Sequence, residues 1–155
     1  MSDLSVGNPA PDFSLPADGG KTMTLGELRG KKVVVYFYPK DDTSGCTKEA
    51  IAFSGLQDAF AAENTVIVGI SPDSAAKHDK FKAKHDLTVN LAADEERQAI
   101  EGYGVWVEKS MYGKKYMGVE RSTFLVDEEG KLAEIWRKVK VPGHAEAVLD
   151  AVKAL

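Results

Sequence analysis

Cys46 is the only cysteine in the chain, and it stands in the run Pro39-Lys40-Asp41-Asp42-Thr43-Ser44-Gly45-Cys46-Thr47-Lys48-Glu49-Ala50. The reactive form of such a side chain is the thiolate, so the question is what surrounds the sulfur. The run follows an apolar, β-branched stretch at residues 33–38, and beyond it Ala50, Phe53, Leu56 and Phe60 recur at helical spacing. A cysteine in the first turn of a helix, just past the end of a strand, lies where unpaired backbone N–H groups and the positive end of the helix dipole converge. Such a place lowers a thiol pKa from about 8.5 and favours the nucleophile. The competing reading is a small buried hydrophobe, the common fate of a free cysteine. Spacing alone leaves both open.

The elements that must position the sulfur follow from the rest of the pattern. An extended lead over residues 6–15 carries Pro9 and Pro11, which hold it out of a helix. Thr24-Leu25-Gly26-Glu27 has capping-box spacing and predicts a short helical turn. Residues 33–38 and 65–71 read as strands apolar on both faces. The helix that begins near Cys46 is expected to reach about residue 61, and a second, started by Ser71-Pro72-Asp73-Ser74, to reach about residue 85. Residues 90–92 are short and extended, residues 95–103 read as a helix, and residues 144–155 as a last one. Residues 122–126 and 131–136 flank the turn Asp127-Glu128-Glu129-Gly130 and predict a hairpin. The order predicts an α/β fold with a mixed central β-sheet and helices on both faces, as one domain over residues 1–155.

Composition narrows the function. The 155 residues are 43% hydrophobic and 28% charged, with 24 acidic against 20 basic side chains and a net charge of −4. A chain of about this length buries about two-thirds of its unfolded surface, enough for a real core. The acidic balance and dispersed basic residues argue against nucleic acid as partner. The short cluster Arg137, Lys138 and Lys140 reads as a solvated strand end. No stretch approaches the ~20 apolar residues of a membrane helix, and Met1-Ser2-Asp3-Leu4-Ser5 lacks the features of an export signal. With one cysteine no intramolecular disulfide forms, so the expected compartment is the cytoplasm. No cofactor is expected. His78 and His85 are seven residues apart on one helix, but with no further Cys or His nearby they predict a solvated face and no metal site. Met111, Tyr112, Tyr116 and Met117 suggest a loop with an apolar surface, fit for a substrate entrance or a subunit contact.

Pro39-x-x-x-Thr43-x-x-Cys46 resembles the active-site signature of the peroxiredoxins. The surrounding residues are similar to the bacterioferritin comigratory protein branch, also called the Q type. The likeness runs through residues 7–15 (Gly7 to Leu15), Phe37-Tyr38-Pro39-Lys40, Gly45-Cys46-Thr47-Lys48-Glu49-Ala50, Gly104-Val105-Trp106-Val107-Glu108-Lys109 and residues 118–130 (Gly118 to Gly130, with Arg121). The resemblance implies a thioredoxin-like fold and a thiol-dependent peroxidase that reduces hydrogen peroxide or organic hydroperoxides. It implies that Cys46 attacks the O–O bond and becomes a sulfenic acid. It gives Thr43 a hydroxyl to offer the sulfur or the peroxide, although a helix N-cap is the ordinary task of such a threonine. Pro39 would shield the sulfur from water, where otherwise it reads as a strand-ending turn residue. Arg121 would hold sulfur and peroxide oxygen with its planar fork, where without the likeness it reads as an exposed arginine.

The branch often carries a second, resolving cysteine; the matching places hold Ile51 and Lys82. The chain therefore resembles a one-cysteine variant, whose reductant is an external thiol: thioredoxin, a glutaredoxin or glutathione. A monomer or small homo-oligomer is expected. Two rival readings are a thioredoxin-fold monothiol transferase, because Thr43-Ser44-Gly45-Cys46 occupies the place of a Cys-x-x-Cys pair, and a non-catalytic binding or holdase module.

Overall fold

Two short strands, β1 (Ser14–Pro16) and β2 (Thr22–Thr24), form an antiparallel hairpin that starts at the end of the expected extended lead. A 3₁₀ turn follows over Leu25–Leu28, but Thr24 does not cap it: its hydroxyl bonds to Ser14 across the hairpin at 2.8 Å. Next comes β3 (Lys32–Phe37), whose side chains alternate between two buried faces. Val33, Val35 and Phe37 enter one cluster, and Val34, Tyr36 and the following Tyr38 enter the other. A strand buried on both sides needs this unbroken apolar run. The computed structural model describes residues 4–155; Met1, Ser2 and Asp3, part of the stretch read as carrying no export signal, lie outside the described residues.

The expected long helix is two. α1 (Ser44–Gly55) ends at Gly55, and α2 (Gln57–Ala62) starts after Leu56. Then come β4 (Thr65–Ser71), α3 (Ala75–His85), β5 (Asn90–Ala93) and α4 (Gln98–Gly102). α4 is shorter than its sequence suggested because Arg97 takes a left-handed turn at φ 60° and Asp94 caps from below, accepting from Gln98 and Ile100 N–H at 2.8 Å each. The segment read as an apolar loop is a regular antiparallel hairpin, β6 (Trp106–Met111) and β7 (Lys114–Val119). β8 (Ser122–Val126), β9 (Leu132–Trp136) and α5 (His144–Lys153) complete the chain. Asp127 builds the β8–β9 turn by accepting from Glu129 and Lys131 N–H at 2.9 Å.

The main sheet is mixed, in the order β5-β4-β3-β8-β9, with β3, β4 and β5 parallel and β8 and β9 antiparallel. One face is covered by α1, α2, α5 and Phe81 of α3, the other by the β1–β2 hairpin, α4 and the base of the β6–β7 hairpin. Tyr36 stacks on Phe53 of α1 at 4.8 Å and lies so close to Gly69 of β4 that a Cβ there would stand 2.6 Å from the ring. Position 69 must be glycine for β3 and α1 to pack. No described helix is long and apolar enough to cross a membrane.

The register decides what reaches Cys46. Because β8 runs antiparallel to β3 with Ser122 opposite Phe37, its first residues lie beside the carboxyl end of β3. The loop that leaves β3 for α1 therefore starts next to Arg121, although 75 positions separate Cys46 and Arg121 in sequence.

Candidate active site

Cys46 occupies the first turn of α1 and is 2% exposed. Arg121 crosses the start of that helix and donates from Nη2 to Cys46 Sγ at 3.2 Å. Its Nη1 donates to Glu49 Oε1 at 2.6 Å, one turn along the same helix. The fork thus grips two groups of α1 at once, a geometry that a planar guanidinium offers and an ammonium does not. Gly45 makes the approach possible: a Cβ there would stand 3.2 Å from Nη2.

The electrostatics follow from burial. Burial alone would lower the Arg121 pKa, but the charges of Glu49 and Cys46 outweigh it and hold the guanidinium protonated. Glu49 is 1% exposed, and burial pushes its carboxyl up to about 7 against the pull of Arg121. Among the described residues its Oε2 has no hydrogen-bond partner, and neither does Tyr36 Oη, another buried polar atom whose phenol burial holds neutral. Nothing in the sequence singled out Glu49, because a glutamate one turn into a helix ordinarily faces water. The signal present was its place between Cys46 and Ala50, both of which the helical pattern turns inward.

The structure brings Cys46 and Arg121 together as the resemblance implied. The other two residues stand in the loop that leads into α1. Thr43 stands at the N-cap position of α1, yet its side chain caps nothing: its hydroxyl donates to Lys40 C=O at 2.8 Å and the residue is exposed. That bond closes the Lys40–Thr43 loop at the foot of the helix. Pro39 is half-buried directly after Tyr38, where the chain turns away from the sheet.

The loop is anchored beneath by a buried polar network. Tyr38 Oη donates to Asp41 Oδ1 at 2.5 Å, His78 Nδ1 meets Asp41 Oδ2 at 2.7 Å, and the Asp41 N–H donates to Asp73 at 2.8 Å. This overturns the solvated face expected for His78. It is fully buried, and its Nε2 meets the Ala92 C=O at 2.9 Å. His85 does stay near the surface, paired with Asp42 at 2.8 Å. The physical reason is that α3 has few apolar residues, so its buried stripe is completed by a histidine three positions before Phe81, with oxygen acceptors waiting for both ring nitrogens. On the far side, His144 of α5 bonds to Thr123 Oγ1 at 2.7 Å, and burial together with the Arg121 charge lowers its pKa to about 4.

Comparison with known proteins meets this geometry. The sequence model of the AhpC/TSA family matches residues 6–135. The peroxiredoxin Bcp of Bacillus subtilis (strain 168) is 49% identical over 150 residues, covering 97% of this chain and 96% of its own. A cysteine-to-serine mutant of Xylella fastidiosa PrxQ superposes with a TM-score of 0.93 at 37% identity, over 99% of this chain and 98% of that one. A trapped intermediate/ligand complex of the Xanthomonas campestris bacterioferritin comigratory protein, which bears on that protein's alkyl peroxide reduction activity, gives a TM-score of 0.90 at 42% identity over 99% and 98% of the two chains.

Proposed function

Because the chain belongs to the AhpC/TSA family and is a peroxiredoxin of the Bcp or Q kind, a thiol-dependent peroxidase with a thioredoxin fold, we propose that Cys46 is the thiol that attacks the peroxide and that Arg121 holds its charge. The 3.2 Å hydrogen bond from Arg121 to the Cys46 sulfur carries this reading. The thiolate attacks one oxygen of the hydroperoxide in line with the O–O bond. As the S–O bond forms, the O–O electron pair leaves with the other oxygen, which takes a proton and departs as water or an alcohol. The sulfur is oxidised to sulfenic acid and the peroxide is reduced. Negative charge moves from sulfur to the leaving oxygen during this step, and a fixed fork of N–H donors stabilises it along the way. Glu49 keeps the fork in register by holding its second arm.

On this reading Thr43 serves the peroxide by exchanging its bond to Lys40, and Pro39 shields the sulfur from water. The 155 residues act as one domain. Hydrogen peroxide and alkyl hydroperoxides both fit the reaction. The chain has no second cysteine to condense with the sulfenic acid, so an external thiol reduces it, with glutathione, a glutaredoxin or thioredoxin as candidates. A lone thiol that needs no disulfide suits the reducing cytoplasm. A monothiol transferase would have no need of an arginine fork fixed on its sulfur, and the 3.2 Å bond from Arg121 favours the peroxidase.

Stopped-flow mixing with hydrogen peroxide tests the proposal. The wild-type chain should gain one oxygen in intact mass within the mixing experiment, and Cys46→Ser should gain none and consume no peroxide. Peroxide consumption by Cys46→Ser at the wild-type rate would overturn it.

A further inference from the structure

Arg121 serves two acids with one charge. Its Nη2 donates to the Cys46 sulfur at 3.2 Å and its Nη1 to Glu49 Oε1 at 2.6 Å, so thiol and carboxyl lie side by side along one guanidinium. They stand three positions apart on α1, the spacing that brings two side chains onto one helix face. Both are shut off from water, at 2% and 1% exposure, and Glu49 Oε2 meets no hydrogen-bond partner among the described residues. An ionised carboxylate with one oxygen bare and buried is costly, and a bound proton relieves that cost.

One cation compensates one anion. With sulfur and carboxyl both ionised on the same fork, the site would bury a second negative charge, and two acids so placed titrate as a pair that keeps one proton. Resting on the reading of Cys46 as the attacking thiol, we propose that Cys46 and Glu49 hold one proton between them on the Arg121 fork, and that Glu49 is the acid that gives it to the leaving oxygen. The burial that lifts the Glu49 carboxyl to about 7 lets it take and release a proton near neutral pH. In the step, the thiol proton passes to the Glu49 carboxylate and leaves a thiolate against Arg121. The thiolate attacks the terminal oxygen of the hydroperoxide. As the S–O bond forms, the O–O electron pair leaves with the other oxygen, and Glu49 protonates it to water or an alcohol. The sulfenic acid keeps the peroxide's own proton, and Glu49 is again a carboxylate. Sulfur has lost two electrons, and the peroxide has gained them.

The other titratable and charged groups around the pair do not fill this place. Tyr36 from β3 is held neutral by burial and by the charges of Glu49, Cys46 and Asp41, which makes it a weaker acid than a free phenol. Tyr38, at the end of the same strand, gives its hydroxyl proton to Asp41 at 2.5 Å. His144 from α5 is neutral near pH 7 and is bonded to Thr123. Arg121 is held protonated, and Lys109 from β6 carries no hydrogen bond or ion pair to the sulfur or the carboxyl. Glu49 is the group on the same fork as the sulfur that can accept a proton and give it back.

The test compares two oxidants in the full-length wild type, Glu49→Gln and Cys46→Ser, together with the pH dependence of iodoacetamide alkylation. Hydrogen peroxide expels a basic oxygen that must be protonated, whereas peracetic acid expels acetate, which needs no proton. Glutamine has the shape of glutamate and an oxygen that accepts the same bond from Arg121, so the fork stays in place, as a melting curve would check. Glu49→Gln should reduce hydrogen peroxide about tenfold to a hundredfold more slowly than wild type, and peracetic acid less than about threefold more slowly. Its alkylation midpoint should not rise, since removing a competing anion favours the thiolate. Wild-type turnover of hydrogen peroxide in Glu49→Gln would overturn the assignment. An equal loss with both oxidants, or a raised alkylation midpoint, would overturn it too, by leaving Glu49 only the task of holding Arg121. Any of these results, with Cys46→Ser inactive, leaves the reading of Cys46 standing; activity in Cys46→Ser would remove that reading and this role with it.

Discussion

Arg121 holds the sulfur with one nitrogen and Glu49 with the other, and only a planar fork does both without moving. Arg121→Lys keeps the charge and loses the second arm. It should slow peroxide reduction by about a hundredfold, the order seen when one preorganised donor is lost, with the melting temperature little changed. Turnover at the wild-type rate in stopped flow would remove Arg121 from its proposed role. Cys46 was legible in the sequence because strand, loop and helix signals converge on it within a few residues. Glu49 was not, since a charged residue carries no local mark of burial; it is drawn inward by Arg121, which arrives from far along the chain. Arg121 was readable only through family likeness, because what brings it to the site is the antiparallel register of β8 on β3.

At the scale of elements, the apolar strands and α3 were legible from their own residues, and the buried histidine of α3 and the β6–β7 hairpin were not. α3 is held by the His78–Asp41 contact at 2.7 Å, which ties it to the loop that feeds Cys46. His78→Ala would strip that partner from a buried carboxylate and should cost about 3 kcal/mol or more in urea unfolding. A loss below about 1 kcal/mol would show the pair to be ornamental in energy. The hairpin was hidden by its turn. Tyr112 and Gly113 form its two-residue tip with φ of 53° and 77°, a conformation that Asn-Gly signals in sequence and Tyr-Gly does not. Tyr112 is 98% exposed, so nothing packs to repay its left-handed backbone. Tyr112→Asn should raise stability by about 0.5–1 kcal/mol and leave peroxide turnover untouched, which a urea titration and one rate measurement would check.

At the scale of the whole molecule, two buried groups pull stability in opposite directions with pH. Glu49 has its folded pKa raised from 4.5 to about 7, so its contribution is full below pH 4.5 and is lost as pH rises through about 7. His144 has its folded pKa lowered from 6.5 to about 4, so its contribution is full above pH 6.5 and is lost as pH falls through about 4. On acidification from about pH 7.5 to about pH 5, Glu49→Gln should therefore lose more stability than wild type, and His144→Gln less, in urea midpoints. Identical pH profiles for all three chains would contradict both assignments. Oxidation is also a property of the whole chain, since it holds one thiol. After one equivalent of peroxide the sulfenic acid should persist until an external thiol arrives, because two sulfurs that each lie 2% exposed under an arginine cannot readily close to the ~2 Å of a disulfide. Prompt, complete dimerisation on a non-reducing gel would refute this. Gly45, finally, has no group that could react, yet the guanidinium lies tight against the place its side chain would take, 3.2 Å from the position of a Cβ. In a mutational scan of this chain, alanine at that position should register as lost turnover with intact folding, the profile by which reactive residues are usually recognised; here an empty volume would be mistaken for a functional group.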